Sequence, residues 1–274
     1  MKRSLRPAAM ALGVAACLAI PSGALAAGRP APNLTCEITA TNQFYSGTYE
    51  NVIVPPNQFC ELSGATVRGN VTVETAASLD LGSSGTVGGN VLVGNQAGAF
   101  EDSGWVIGGA AIGSGAGSLG ISGTVHGVVA NKVASLTIQN ATVDGSVVSN
   151  QSVYGGFVAG SVITGQLAIN GTTAGDDTAS SIWFIAGPQL DSSPQEIDGN
   201  VALTGNQSPI YIFDNHIKQN LVCAGNNPPP FDSVGGFGNT VDGRSFGQCA
   251  ATNTPPVAAD ATRALDAVHS ALAR

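Results

Sequence analysis

Residues able to donate, accept or attack are sparse in this chain and spread along it. The three histidines, His126, His216 and His269, have no Ser or Cys motif beside them, and neither G-x-S-x-G nor H-E-x-x-H occurs. The densest carboxylates are Asp176, Asp177, Asp191, Glu196 and Asp198. Oxygens of this kind suit a hard cation such as calcium, but the alternating ligand spacing of an EF-hand loop is missing. Trp183 and Tyr211 carry rings of the type that stack on sugars. Acids grouped with a base would suit polysaccharide cleavage. Arg68 and Lys218 share one repeat position, yet Gly88, Ile107, His126, Asp144, Thr164 and Asp198 fill it between them, so no spot is expected to collect both acids and bases. No catalytic residue is therefore assigned and no enzyme is expected. No cofactor is expected either, with calcium at Asp176, Asp177 and Asp191 as the alternative.

What must position these residues is a repeat. T-V-R-G-N-V-T-V (Thr66 to Val73) returns as T-V-G-G-N-V-L-V (Thr86 to Val93) after twenty residues. The unit V-x-G-N-V-x-V can be followed through Glu50, Gly69, Gly89, Gly108, Gly127, Gly145, Gly165, Gly199, Gln219 and Gly243, mostly in steps near nineteen. That period is too short for helical-pair repeats or propeller blades and fits one turn of a β-solenoid. Two residues beyond the glycine position stand Val52, Val71, Val91, Ala110, Val129, Val147, Leu167, Val201 and Leu221; four beyond stand Val54, Val73, Val93, Ile112, Asn131, Ser149, Ile169, Leu203 and Cys223. Two-residue spacing puts both columns on one strand face, the interior. A second strand per coil shows in Ser78 to Leu81, Ser118 to Ile121, Ser135 to Ile138, Ile182 to Ile185 and Pro209 to Ile212, and a third ends in the Thr-Val of the motif. The expected fold is all-β: a right-handed parallel β-helix of about nine coils, each of about 19 residues.

Asn51, Asn70, Asn90, Asn200 and Asn220 follow the glycine position, with Ser146 and Gln166 in two other coils. Asparagine beside glycine suits a corner, and stacked amides can hydrogen-bond along the stack as a ladder. The row Thr66, Thr86, Thr124, Thr142 and Thr240 is single and interrupted by Trp105 and His216, which reads as a solvated β-branched column rather than an ice-binding face. One coil is expanded, with 34 residues between Gly165 and Gly199, and its excess sits around 171–177 and 187–196. Insertions in a solenoid emerge as side loops, where binding tends to reside. In the preferred register Ile182, Phe184, Ile210 and Ile212 point inward, leaving Trp183 and Tyr211 outside as a sugar-stacking pair unless the inserted loops bury them.

The chain opens with Lys2, Arg3 and Arg6, an apolar run from Ala8 to Ile20, and Ala24-Leu25-Ala26, the layout of a secretory signal occupying 1–26. Val14-Ala15-Ala16-Cys17 offers the lesser reading of a lipoprotein box lipidated at Cys17. No later run is long and apolar enough for a membrane helix. Cleavage takes three of ten basic residues and none of eighteen acidic ones, leaving a net charge of −11, which argues against a nucleic-acid partner. Four cysteines remain, in two sequence-local pairs at opposite ends of the array; Cys36 with Cys60 and Cys223 with Cys249 is the preferred pairing, and both other pairings stay open. The domain layout is then a signal peptide (1–26), an N-terminal segment and cap (27–46), the β-helix (47–223), a C-terminal disulfide cap (224–249), and a Pro-containing linker with a short Ala-rich helix (250–274).

The coil motif, together with Cys223-Ala224-Gly225-Asn226, Gly238-Asn239-Thr240-Val241-Asp242-Gly243 and Gly247-Gln248-Cys249, resembles a group of secreted bacterial β-helix proteins of unassigned function. The resemblance spans roughly Cys36 to Cys249 and implies a right-handed parallel β-helix, with no catalytic residues to carry over. The expected role is an exported structural or interaction module in the extracellular space, periplasm or cell surface, its partner unknown. The alternative is a carbohydrate-binding or polysaccharide-degrading β-helix protein working through 171–196. A monomer is expected, with end-to-end stacking as the other arrangement and a glycan or cell-surface component as the other class of partner.

Overall fold

The computed structural model describes residues 31–36, 44–97, 99–102, 104–173, 181–187, 194–234 and 237–250. The leader with Cys17 and the Ala-rich segment 258–273 lie outside them. The described chain winds as a parallel β-solenoid of about nine turns, with three short strands in a complete coil. The first sheet runs from Leu34–Thr35 through Val52–Val54, Val71–Val73 and Val91–Val93 to Leu221–Ala224 and Ser245–Gly247. The second includes Ser78–Leu81, Ser118–Ile121, Ser135–Gln139, Gly155–Ala159, Ile182–Ala186 and Ile210–Phe213. The third stacks Thr86–Val87, Thr142–Val143, Val162–Ile163, Gln195–Ile197, Asn215–Ile217 and Thr240–Val241 among others. Among the described residues no helix is long and apolar enough to cross a membrane.

The expected strand alternation fills the interior. Val52, Val54, Val71, Val73, Leu79, Leu81, Leu136 and Ile138 are buried in one continuous core. Two coils depart from the expected phase. Both Gly108 and Gly109 fit the glycine position, and the extra residue forms a bulge between Ile107 and Ala110. Ala111 and Gly113 therefore stack on Val128 and Ala130 inside, while Ile112 and Val129, expected inside, pair on the outer face.

The motif glycine has a steric reason. A Cβ at Gly69, Gly89 or Gly109 would fall against the side-chain amide oxygen of Asn51, Asn70 or Asn90 in the coil before. Those oxygens accept the backbone N–H groups of Asn70 at 2.9 Å, Asn90 at 2.8 Å and Ala110 at 2.8 Å. Gly-Asn is thus one unit: the amide of one coil closes the corner of the next. Asn220 repeats the arrangement on Asn200, with backbone and amide N–H groups both 3.1 Å from its Oδ1.

A second corner, between the first and second sheets, is turned by a residue in the left-handed region. Gly115, Gly171, Gly205, Gly225 and Gly247 take this conformation freely, but Asn57, Ala76, Gln96, Lys132 and Gln151 hold it at φ between 52° and 61° or close by, with Ala76 at 57°. A side chain there costs about 1–2 kcal/mol, against about 0.5–1 kcal/mol for the extra freedom a glycine loses on folding. Ala76→Gly is therefore expected to stabilise the protein by about 0.5–1 kcal/mol in denaturant titration. A loss of stability would show that the corner is not strained.

The cysteines pair as expected, Cys36 with Cys60 and Cys223 with Cys249, at Cα separations of 5.7 and 5.4 Å. All four side chains are buried at the two ends of the core.

Candidate functional site

Trp183 does not stand where the preferred register put it. Its strand pairs with Gly155–Ala159 so that Trp183 lies over Gly156 and beneath Ile210, inside the coil and with no exposed surface. A Cβ on Gly156 would meet the indole ring, so the ring occupies space that the glycine leaves open. Ile182-Trp183-Phe184-Ile185 is apolar at every position, and alternation alone could not choose the inward pair. Ile210 and Ile212 do face inward, and Tyr211 faces outward, but Tyr211 pairs with Phe184 rather than with Trp183. The Phe184 and Tyr211 rings stack with centroids 5.2 Å apart, and Phe231 stacks on Tyr211 at 4.8 Å. Phe231 belongs to the loop after Cys223; its backbone exchanges 2.8 Å hydrogen bonds with Ile210 and Ile212 and adds a rung to the second sheet. With Phe157 and Phe213 these rings form a buried lateral cluster. The Trp183–Tyr211 sugar platform is thus not assembled, because the two rings lie on opposite faces of one sheet.

Trp105 is likewise interior, over Gly85, with its Nε1–H donating to the carbonyl of Gly82 at 3.2 Å. Val106, not Trp105, stands between Thr86 and Thr124 in the outer threonine column. The candidate calcium ligands Asp176, Asp177 and Asp191 lie outside the described residues. Among the described residues no group of three or more His, Cys, Asp or Glu side chains is placed to hold a metal ion.

Sequence reading missed a place where acids and bases meet. On the outer face of the third sheet Glu196 is in register with His216, and His216 with Thr240. Lys218 Nζ contacts Glu196 Oε1 at 2.5 Å and Asp198 Oδ1 at 2.8 Å, and His216 Nε2 lies 3.1 Å from Asp242 Oδ2. Written coil under coil, Glu196-x-Asp198, His216-x-Lys218 and Thr240-x-Asp242 show the patch, but the expanded coil breaks the spacing and hides it. Hydrogen bonds to Asp198, then to Glu196, raise Lys218 well above the usual lysine range. It stays protonated at any physiological pH, so it can hold an anion but cannot take a proton as a general base. Its side chain is 41% exposed, and solvent screening makes the two pairs a modest contribution to stability.

A second polar array is buried. Asn206 Oδ1 accepts the Thr172 N–H at 3.0 Å, Asn226 Oδ1 accepts the Asn206 N–H at 3.1 Å, and Gln248 Oε1 accepts the Asn226 N–H at 2.8 Å. The amide nitrogens of Asn206 and Asn226 donate to the carbonyls of Ile169 at 2.9 Å and Leu203 at 2.8 Å. These amides close an inner corner of the coil and satisfy backbone groups that burial would otherwise leave unpaired. Gly205-Asn206, Gly225-Asn226 and Gly247-Gln248 are its sequence signal. No family model matches the chain, and no curated protein or solved structure matches it significantly.

Proposed function

We propose that this chain is an exported, non-enzymatic structural or interaction module: a rigid rod of about nine coils, about 45 Å long at the usual strand spacing. One observation carries the reading. The side chains with chemical potential are engaged in holding coil to coil: amides in ladders, tryptophans in the core, and Lys218 fixed between Glu196 and Asp198. Two disulfides fit an oxidising compartment, which agrees with export. The carbohydrate alternative loses its stacking pair with the inward placement of Trp183. The test is a reducing-end release assay on acidic and neutral polysaccharides, run beside a glycan array. No release is expected from the purified, oxidised chain. Turnover of any polysaccharide, abolished by Lys218→Ala or His216→Ala, would replace this reading with an enzymatic one.

A further inference from the structure

The middle outward position of the first sheet forms an apolar ridge along the rod. Ile53, Leu92, Ile112, Val129, Val148 and Val222 belong to one in-register column that ends at Phe246. Ile53, Leu92 and Phe246 are 39%, 37% and 44% exposed. An outer column on a solvated sheet face is ordinarily polar, and an apolar stripe of this length marks a surface to be covered.

The rails beside the ridge are suited to dehydration. On one side run the Gly-Asn amides; on the other, Asn150 donates to Asn131 at 2.9 Å, Asn170 to Asn150 at 3.1 Å and Thr204 to Asn170 at 2.5 Å. These polar groups already have partners along the rod axis, so covering them leaves fewer hydrogen bonds unmade. Across the ridge and both rails only Glu74 and Arg244 are charged, near opposite ends, in a chain with eighteen acidic and ten basic residues. Eleven strands make this sheet about 50 Å long, and five residues make the face about 13 Å wide. A flat face of about 700 Å² per partner approaches the roughly 800 Å² of a standard stable interface.

We propose that this face pairs with the same face of a second copy, giving an antiparallel dimer of rods. A second copy is the occupant that matches the ridge in length and in strand repeat. A nearly neutral face is also where two net-negative chains can approach without like-charge repulsion. Antiparallel packing brings Glu74 of one copy and Arg244 of the other to the same end, whereas parallel packing would gather like with like. This goes beyond the module reading and does not depend on it, since an enzyme could carry the same seam.

The test is light scattering coupled to size exclusion on the oxidised chain at micromolar concentration. The wild type is expected at twice its monomer mass, and Leu92→Lys with Val148→Lys at the monomer mass with an unchanged far-UV spectrum. Thr86→Lys with Thr142→Lys, on the third sheet, should leave the dimer intact. Under mild oxidation Ile53→Cys should cross-link to Val222→Cys in mixed samples but not to itself. A monomeric wild type, a dimer that survives the ridge lysines, or self-linking of Ile53→Cys would each overturn the antiparallel ridge dimer.

Discussion

Trp183→Ala is expected to cost about 3–5 kcal/mol, the range for emptying a large buried aromatic site. The indole has no exposed surface, and its neighbours in the column are Gly156, which has no side chain to fill the gap, and Ile210. The cavity would therefore persist rather than collapse. Trp183→Phe should cost much less, because the indole Nε1–H is buried without a hydrogen-bond partner and its removal offsets part of the lost packing. Denaturant unfolding gives the free energies, and fluorescence gives the placement. Both tryptophans are fully buried, so emission should lie at short wavelength and resist iodide. A cost below about 0.5 kcal/mol for Trp183→Ala, the range of an open surface position, together with a red-shifted, quenchable Trp183, would put the ring outside and restore the sugar platform.

Removing the C-terminal disulfide, with Cys223 and Cys249 both changed to serine, is expected to cost about 3.5 kcal/mol by the chain-entropy estimate for a separation of 26 residues. The loss should be local. In a stack where each coil touches only its neighbours, an untied end frays before the rest melts. Hydrogen exchange should then speed up in Ser245–Gly247 and Leu221–Ala224, with little change at Val71–Val73. The buried ladder sharpens this, because Gln248 precedes Cys249 and holds the Asn226 N–H. Exchange that rises evenly along the rod, or does not rise, would show that the bond does not hold this end.

The period, the three strands per coil, the interior columns and the pairing of the cysteines were legible because each follows from spacing and residue type alone. Three features were not. At Ile182 to Ile185 both faces of the strand are apolar, and only the empty position at Gly156, in another coil, decides which face turns in. At Gly108 and Gly109 two glycines fit one position, so the slip that turns Ile112 and Val129 outward leaves no mark in the sequence. That slip also hid the ridge, since it moved two apolar residues from the expected core to the surface. The acid–base patch was obscured by chain inserted between Gly165 and Gly199, which sets Asp144 and Thr164 far in sequence from Glu196 and Lys218.

The in-register stacking sets how the molecule can form. Neighbouring strands in a sheet are 17 to 34 residues apart in sequence, so the chain closes short loops one after another instead of joining distant segments at once. A coil emerging from an export channel can settle on the one before it without waiting for the rest. The slowest step should be the expanded coil, Leu167 to Val201, whose closure costs about 0.5 kcal/mol more than a 19-residue one. A rod stalled at that point would present the Leu167–Asn170 edge unpaired, with the donors of Thr172 and Ser161 still lacking the Asn206 and Gln195 oxygens that later cover them. Chain arrest just beyond Asn170 would therefore leave a sticky end, and that stretch is where a holding chaperone would be needed most.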